Sequence, residues 1–505
     1  MTPRRAKRTL ITLGGSALIL GTLIAVNPAT AGRGWADNNS AILAAEGGSF
    51  AEPVINKLQA DQAAVQAIGP LVPQFFDADI DLARDDFAAG VTQTGQTVDY
   101  AVSEVPLTDP QAATAAQSHR SFAYVPFAAS PLAFGTNVLC SQSPSLSPAS
   151  FCRPLKLTVL QLAKIFTFGL TTWNTAELTQ ENPSLSGVLN QSVTILPTTA
   201  VQPSASNLVV ESMFVNNPSV KPLWDQFIKN KANITDDTPS EHWPNRGDSG
   251  GDSGLAQTLV PPDPSTSKPL ANPPNWPALG SLAALPVEWL APPRDVIPTI
   301  AIQNAAGAFV SPTVDATAAA LNDATMDPKT NLVTFQPSQT DQAAYPLVVM
   351  SYLVVPTSGL DPTKATALAA FVRFVLSTAG QADVKATGAA PPTPAMVSAG
   401  LHVADLVAAQ AQTSATTSTT TPATTSTTAA GGSTSGQGSS GDAGGGGAGN
   451  GLGNSATPAS DNGSQLAFTG GAPVLVPLAG AGMVGVGVLA RRAMRRRLLA
   501  RSSGS

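Results

Sequence analysis

The pentapeptide Gly247-Asp248-Ser249-Gly250-Gly251 surrounds a serine the way a proteolytic nucleophile is surrounded. Such a serine works only with a histidine base and a buried aspartate. The chain has three histidines, His119, His242 and His402, and Ser118-His119-Arg120 carries none of the residues that accompany such a base. The segment also repeats as Gly251-Asp252-Ser253-Gly254, which fits a turn opening a helix at Leu255-Ala256 better than a catalytic loop. No enzyme activity and no catalytic residue are expected. The scattered histidines offer no metal-ligand spacing, so no metal and no cofactor are expected. A second pattern, Ser49-x-x-Glu52, has the spacing of a capping box. It would set Ser49 and Phe50 at a helix start, where free N–H groups can hold an anion. The plain alternative is a cap without a binding role. The third pattern is Cys140 and Cys152 in one Ser/Pro-rich loop. Outside a cell, such a pair reads as a disulfide worth about 3 kcal/mol at most. Two free thiols are the alternative.

The ends of the chain supply that extracellular setting. Arg4, Arg5, Lys7 and Arg8, an apolar stretch over 10–26 and Ala29-Thr30-Ala31 make the three parts of a signal peptide, residues 1–31. A retained membrane helix is the alternative. Residues 472–490 are apolar and uncharged, long enough to span a bilayer, and arginines from Arg491 to Arg501 follow in the basic tail 491–505. Arginine clusters stay on the cytoplasmic side, which puts everything before the span outside. Residues 412–465 are Thr/Ser-rich, then Gly/Ser-rich, without apolar periodicity, and are expected as a disordered stalk. The charged fraction is 12% and the net charge −6, with basic clusters only at the two ends, so nucleic acid is excluded as a partner.

The folded part is then residues 35–408, long enough for two lobes. Leu368, Phe371, Val372, Val375 and Leu376 fall at helical spacing, in a helix that Gly380 ends. Thr158-x-x-Gln161 is a capping box opening a helix that Gly169 closes. Residues 347–355 form an apolar run between prolines, the signature of a strand buried on both faces. Residues 239–298 look loop-dominated. Buried strands alternating with amphipathic helices imply an α/β fold.

Several stretches, in order, resemble the phosphate-binding proteins of ABC importers. They are Glu46 to Ile55, Val98 to Leu107, Phe122 to Phe127 with Asn137 beyond, Leu157 to Phe166 with Gly169 and Thr172-Trp173-Asn174 after it, Tyr345 to Val355, and Gly380 to Pro392. The chain is identified by these as PstS-like, in an actinobacterial-looking surface form. The resemblance implies a two-lobed periplasmic-binding-protein fold of type II with hinge strands, closing on phosphate or another small oxyanion without a metal. It also implies an importer permease as partner. Leu466-Ala467-Phe468-Thr469-Gly470 resembles the sorting signal of Gram-positive surface proteins, in which a sortase cuts between Thr469 and Gly470 and joins the threonine to the cell wall. A plain membrane anchor through 472–490 is the alternative.

Carried over by position, the ligand-binding residues are Ser49, Phe50, Ser103, Glu104, Ser204 and Ser206. Glu104 replaces the family's aspartate, which accepts the proton of a protonated oxyanion. The family's arginine is replaced by Ala200, and its glycines by Pro203 and Ala205, which removes a charge-assisted contact and a backbone donor. Asp79 and Asp81 stand where the family has a serine-rich turn and would repel an anion, and Arg84 is expected to support the fold. The expected function is therefore oxyanion capture at the cell surface, weakened by these losses. The competing expectation is a surface protein that keeps the fold without phosphate binding and serves adhesion or wall structure.

Overall fold

A computed structural model describes residues 42–417 apart from 62–65, 67, 70, 141–150, 189–193, 200–202, 233–237, 242, 244–250, 260–279, 291–296 and 337–339. The expected signal peptide, sorting motif, membrane span and tail lie outside the described residues, as do Ala200, His242 and Ser249.

Apolar runs without alternation become strands covered on both faces. β1 (Ile42–Gly47) and β2 (Val72–Asp77) are parallel neighbours, and β1 also pairs in parallel with β3 (Tyr100–Ser103). β4 (Phe122–Thr136) is the longest strand, buried throughout after its first two residues. After the short β5 (Leu155–Leu157) and β6 (Leu196–Thr198) come β7 (Ser281–Pro286), β8 (Ile300–Gln303), β9 (Phe309–Val310), β10 (Thr325–Met326) and β11 (Val333–Thr334). The run predicted at 347–355 is β12 (Val348–Pro356), buried at every residue. The main sheet runs β2-β1-β3-β12-β4-β7-β6, beside a small sheet β5-β8-β9 and the pair β10-β11.

One strand serves both halves of that sheet. Residues 122–131 of β4 pair antiparallel with β12, and Leu132–Thr136 pair antiparallel with β7. The β7 strand falls inside the stretch expected to be loops. Its segment Ser281-Leu282-Ala283-Ala284-Leu285 is apolar but bounded by prolines and glycines, which hid it.

The helices cover the sheet. They are α1 (Glu52–Ala60), α2 (Ile80–Ala89), α3 (Asp109–Gln117), α4 (Val159–Phe166), α5 (Ala176–Thr179), α6 (Ala205–Val215), α7 (Lys221–Ala232), α8 (Gly251–Leu259), α9 (Val314–Asn322), α10 (Pro362–Val375), α11 (Thr378–Thr387) and α12 (Pro394–Thr417). α2 packs on β1 and β3, α6 and α8 on β7, and α12 on α10 and β4. One core gathers Leu43, Tyr100, Phe127 and Phe371 beside α1 and α10. A larger one gathers Phe134, Phe166, Trp173, Phe214 and Trp224, and a small one joins Leu255, Leu285 and Leu290. Among the described residues no single helix is long and apolar enough to cross a membrane. α12 ends at Thr417, inside the segment whose composition predicted a stalk.

Local signals worked where side chains supply the bond. Thr158 Oγ1 accepts from the Gln161 N–H, and the Gln161 side chain accepts from the Thr158 N–H, as the capping box requires. Two helix ends differ from expectation. α10 stops at Val375, and Gly380 sits in the first turn of α11, where Ser377 Oγ accepts its N–H at 3.2 Å. A Cβ on Gly380 would overlap the carbonyl oxygen of Phe374, so the glycine permits a tight corner between two helices. After α4 the left-handed residue is Phe168 (φ 61°), not Gly169, whose N–H donates to Lys164 O at 2.6 Å. Cys140 and Cys152 form a disulfide with Cα atoms 4.9 Å apart.

Candidate functional site

Three serines from two distant stretches of the chain meet at one carboxyl group. Ser49 follows β1, Ser204 caps α6, and Ser206 lies in the first turn of α6. Asp252 is the second residue of α8. Ser206 Oγ donates to Asp252 Oδ1 at 2.6 Å. Ser204 Oγ donates between the two oxygens, at 3.2 Å to Oδ1 and 3.1 Å to Oδ2. Ser49 Oγ donates to Oδ2 at 3.1 Å.

The backbone sets the direction of these bonds. Ser49 Oγ accepts the Asp252 N–H at 2.8 Å, and Ser204 Oγ accepts the Ser206 N–H at 3.1 Å. Each hydroxyl has one proton to give, and with an amide on its lone pair that proton goes to the carboxylate. Asp252 also lies at the start of α8 and faces the start of α6, two positive helix ends. Ser49, Ser204, Ser206 and Asp252 are all buried. Burial outweighs the opposing pull of the Ser206, Ser204 and Ser49 hydroxyls and holds the Asp252 carboxyl above the usual aspartate range.

The capping box expected at Ser49 does not form. α1 begins at Glu52 after Ala51, without a side-chain cap, and the Ser49 hydroxyl is spent on Asp252 instead. The Ser49 carbonyl accepts the indole N–H of Trp289 at 2.9 Å, which fixes this loop against the turn Val287–Trp289. Phe50 is buried in the core beside it. The helix expected to open at Leu255-Ala256 opens four residues earlier, at Gly251, which brings Asp252 into the site.

Ser103 stands apart. Its hydroxyl donates to Val105 O at 2.7 Å and accepts the Val105 N–H at 3.2 Å, so a local turn uses it up. Glu104 is fully buried and accepts from Ser351 Oγ at 3.0 Å; its Oε2 has no hydrogen-bond partner among the described residues. Burial, and next the Asp252 charge, push Glu104 up to about 8, against the pull of Ser351 and Arg84. At neutral pH it is the neutral acid and can donate, where its position in the sequence suggested an acceptor.

Arg84 on α2 is buried, with Nη2 at 2.7 Å from Glu241 Oε1. Its Nε and Nη1 have no hydrogen-bond partner among the described residues. Asp81, one turn earlier, has its carboxylate on the Leu82 N–H at the start of α2. The arrangement is a buried cluster of hydroxyl donors around one carboxyl group, and Glu104 lies within electrostatic range of both that carboxyl and the partly unsatisfied Arg84 guanidinium. Asp252 is the residue that sequence reading missed. Its motif suits a nucleophile loop or a turn, and its hydroxyl partners lie 46 to 203 positions away.

Residues 38–379 match the PBP superfamily domain. No curated protein matches the chain. Solved structures similar to it include the ancestral soluble variant of the human phosphate binding protein, at 14% identity and a TM-score of 0.49, covering 71% of this chain and 93% of that one. The high-affinity periplasmic phosphate-binding protein PfluDING bound with phosphate is similar at 16% identity and a TM-score of 0.49, covering 71% and 92%. A phosphate-binding protein from Stenotrophomonas maltophilia is similar at 13% identity and a TM-score of 0.48, covering 72% and 93%.

Proposed function

The chain belongs to the PBP superfamily, and from that premise we propose that it is a solute-binding protein for a small oxyanion, with phosphate the first candidate. The observation that carries this reading is the convergence of the Ser49, Ser204 and Ser206 hydroxyls on a single anionic position. Hydroxyl donors at helix starts recognise an oxyanion without a metal. The Arg84 Nε and Nη1 supply the charge-assisted donors that Ala200 cannot. Glu104, as the neutral acid, donates to an oxygen that carries no proton. The two halves of the sheet act as lobes, with β4 as the strand they share.

The proposal extends to the address. Residues 1–31 direct export, residues 412–465 serve as a stalk, and residues 466–490 hold the chain at the cell surface through a sortase or the membrane itself. An importer permease is then the partner that receives the ligand.

The test is calorimetric titration of the protein with phosphate, sulfate and acetate, on wild type and Ser206→Ala. A hydrogen bond to a charged group is worth about 1.5–3 kcal/mol, so Ser206→Ala should weaken binding by about ten- to a hundredfold. Absence of binding by all three anions would sink the reading. The competing reading, a surface protein that keeps the fold without a ligand, has one observation on its side: the three hydroxyls already hold Asp252.

A further inference from the structure

We propose that Asp252 is a built-in competitor for the ligand, whose carboxylate fills the anion position and must leave before an oxyanion can enter. The inference rests on the oxyanion reading above and concerns how that site is regulated. Both Asp252 oxygens take hydroxyl donors, Ser206 on Oδ1, Ser49 on Oδ2 and Ser204 across the two. A carboxylate and one edge of a phosphate present the same pair of acceptors, so the same donors suit both. The amides on Ser49 Oγ and Ser204 Oγ aim those donors at the anion position whichever acceptor is there.

The competitor is tethered. Asp252 sits in the first turn of α8, and its own backbone N–H holds Ser49. Its local concentration at the site is therefore fixed by the fold, and an incoming anion competes with it at every encounter. Apparent affinity falls by the fraction of molecules in which Asp252 is out of place. The same contact bridges β1's loop to the α6 and α8 starts, so the carboxylate holds these elements together when no solute is bound. A solute that displaces it has to make the bridge in its stead.

The test titrates phosphate into full-length wild type, Asp252→Ser, Asp252→Asn and Asp252→Ser with Ser206→Ala. Asp252→Ser vacates the position and should tighten phosphate by at least about tenfold over wild type. Adding Ser206→Ala should take that gain away. Asp252→Asn keeps the side-chain volume and presents an amide to the serine donors, so it should tighten phosphate less than the serine does. It also stands in, by the same criterion of tightening over wild type, if Asp252→Ser does not fold by circular dichroism. Equal or weaker binding by the position-252 variants, with measurable binding by wild type, overturns the competitor and leaves the oxyanion reading in place. No binding of phosphate, sulfate or acetate by any of the folded proteins overturns the oxyanion reading, and the competitor falls with it.

Discussion

At the scale of single residues, the serines of the site depend on one another through Asp252. Ser206→Ala removes the shortest bond to a buried carboxylate and should cost about 1.5–3 kcal/mol of stability by urea denaturation. In an Asp252→Ser background the same change should cost much less, because its acceptor is gone. Equal costs in both backgrounds would mean that Ser206 stabilises the fold by some other route. Ser49 stands out in the sequence by the residues around it and Ser204 and Ser206 only by their place in the order of segments, and the fold brings their hydroxyls together. Asp252 was not legible, since an aspartate in a Gly/Ser-rich turn has many ordinary explanations and its partners are 46 to 203 positions away. The protonation of Glu104 was equally hidden: burial sets it, and burial is a property of the whole fold.

At the scale of elements, local chemistry was legible where the bond closes within a few residues. Thr158→Ala opens a capping box that forms as read and should cost about 1 kcal/mol, measured by thermal or chemical unfolding. Ser49-x-x-Glu52 has the same spacing and forms no cap, because a distant carboxylate competes for its hydroxyl. Tertiary contact overrode the local signal at Gly380 as well. There the backbone of α10 approaches so closely that Gly380→Ala should destabilise by about 1–3 kcal/mol, as overpacking does. A neutral substitution would show that the α10–α11 corner can open. Buried strands such as β12 were plain from their apolar runs, whereas β7 was masked by proline and glycine around it.

At the scale of the whole molecule, buried acids decide how stability responds to pH. Burial, and then the charge of Asp86, push Glu46 up to about 8, and burial pushes Asp86 up to about 6. Burial likewise pushes Glu211 up to about 8 and Glu288 up to about 7. With Glu104 these groups bind protons more tightly in the folded chain than in the unfolded one, where they titrate near about 4. Their contribution is fully present below about pH 4 and is lost as pH rises through about 6 to 8. While it titrates, each group lowers stability by up to about 1.4 kcal/mol per pH unit. The thermal midpoint should therefore fall between pH 5 and pH 8.5, and a flat or rising profile would contradict the burial of these carboxyls. The overall α/β organisation was legible from composition and periodicity, but the sharing of β4 between the two sheet halves was not, because strand partners are set by the whole fold and no residue of β4 marks where one partner gives way to the next.

The bond from the Trp289 indole to the Ser49 carbonyl gives the molecule an optical readout of its own site. Indole emission shifts to longer wavelength when the ring relaxes in water, and Trp289 is half-buried against the loop that carries Ser49. Any event that draws this loop from the turn Val287–Trp289 should redden and dim the emission of that one ring. Five other tryptophans contribute background, since the chain has six. The difference between wild-type and Trp289→Phe spectra isolates the signal. Titrating phosphate while recording that difference would report movement at Ser49 without a label.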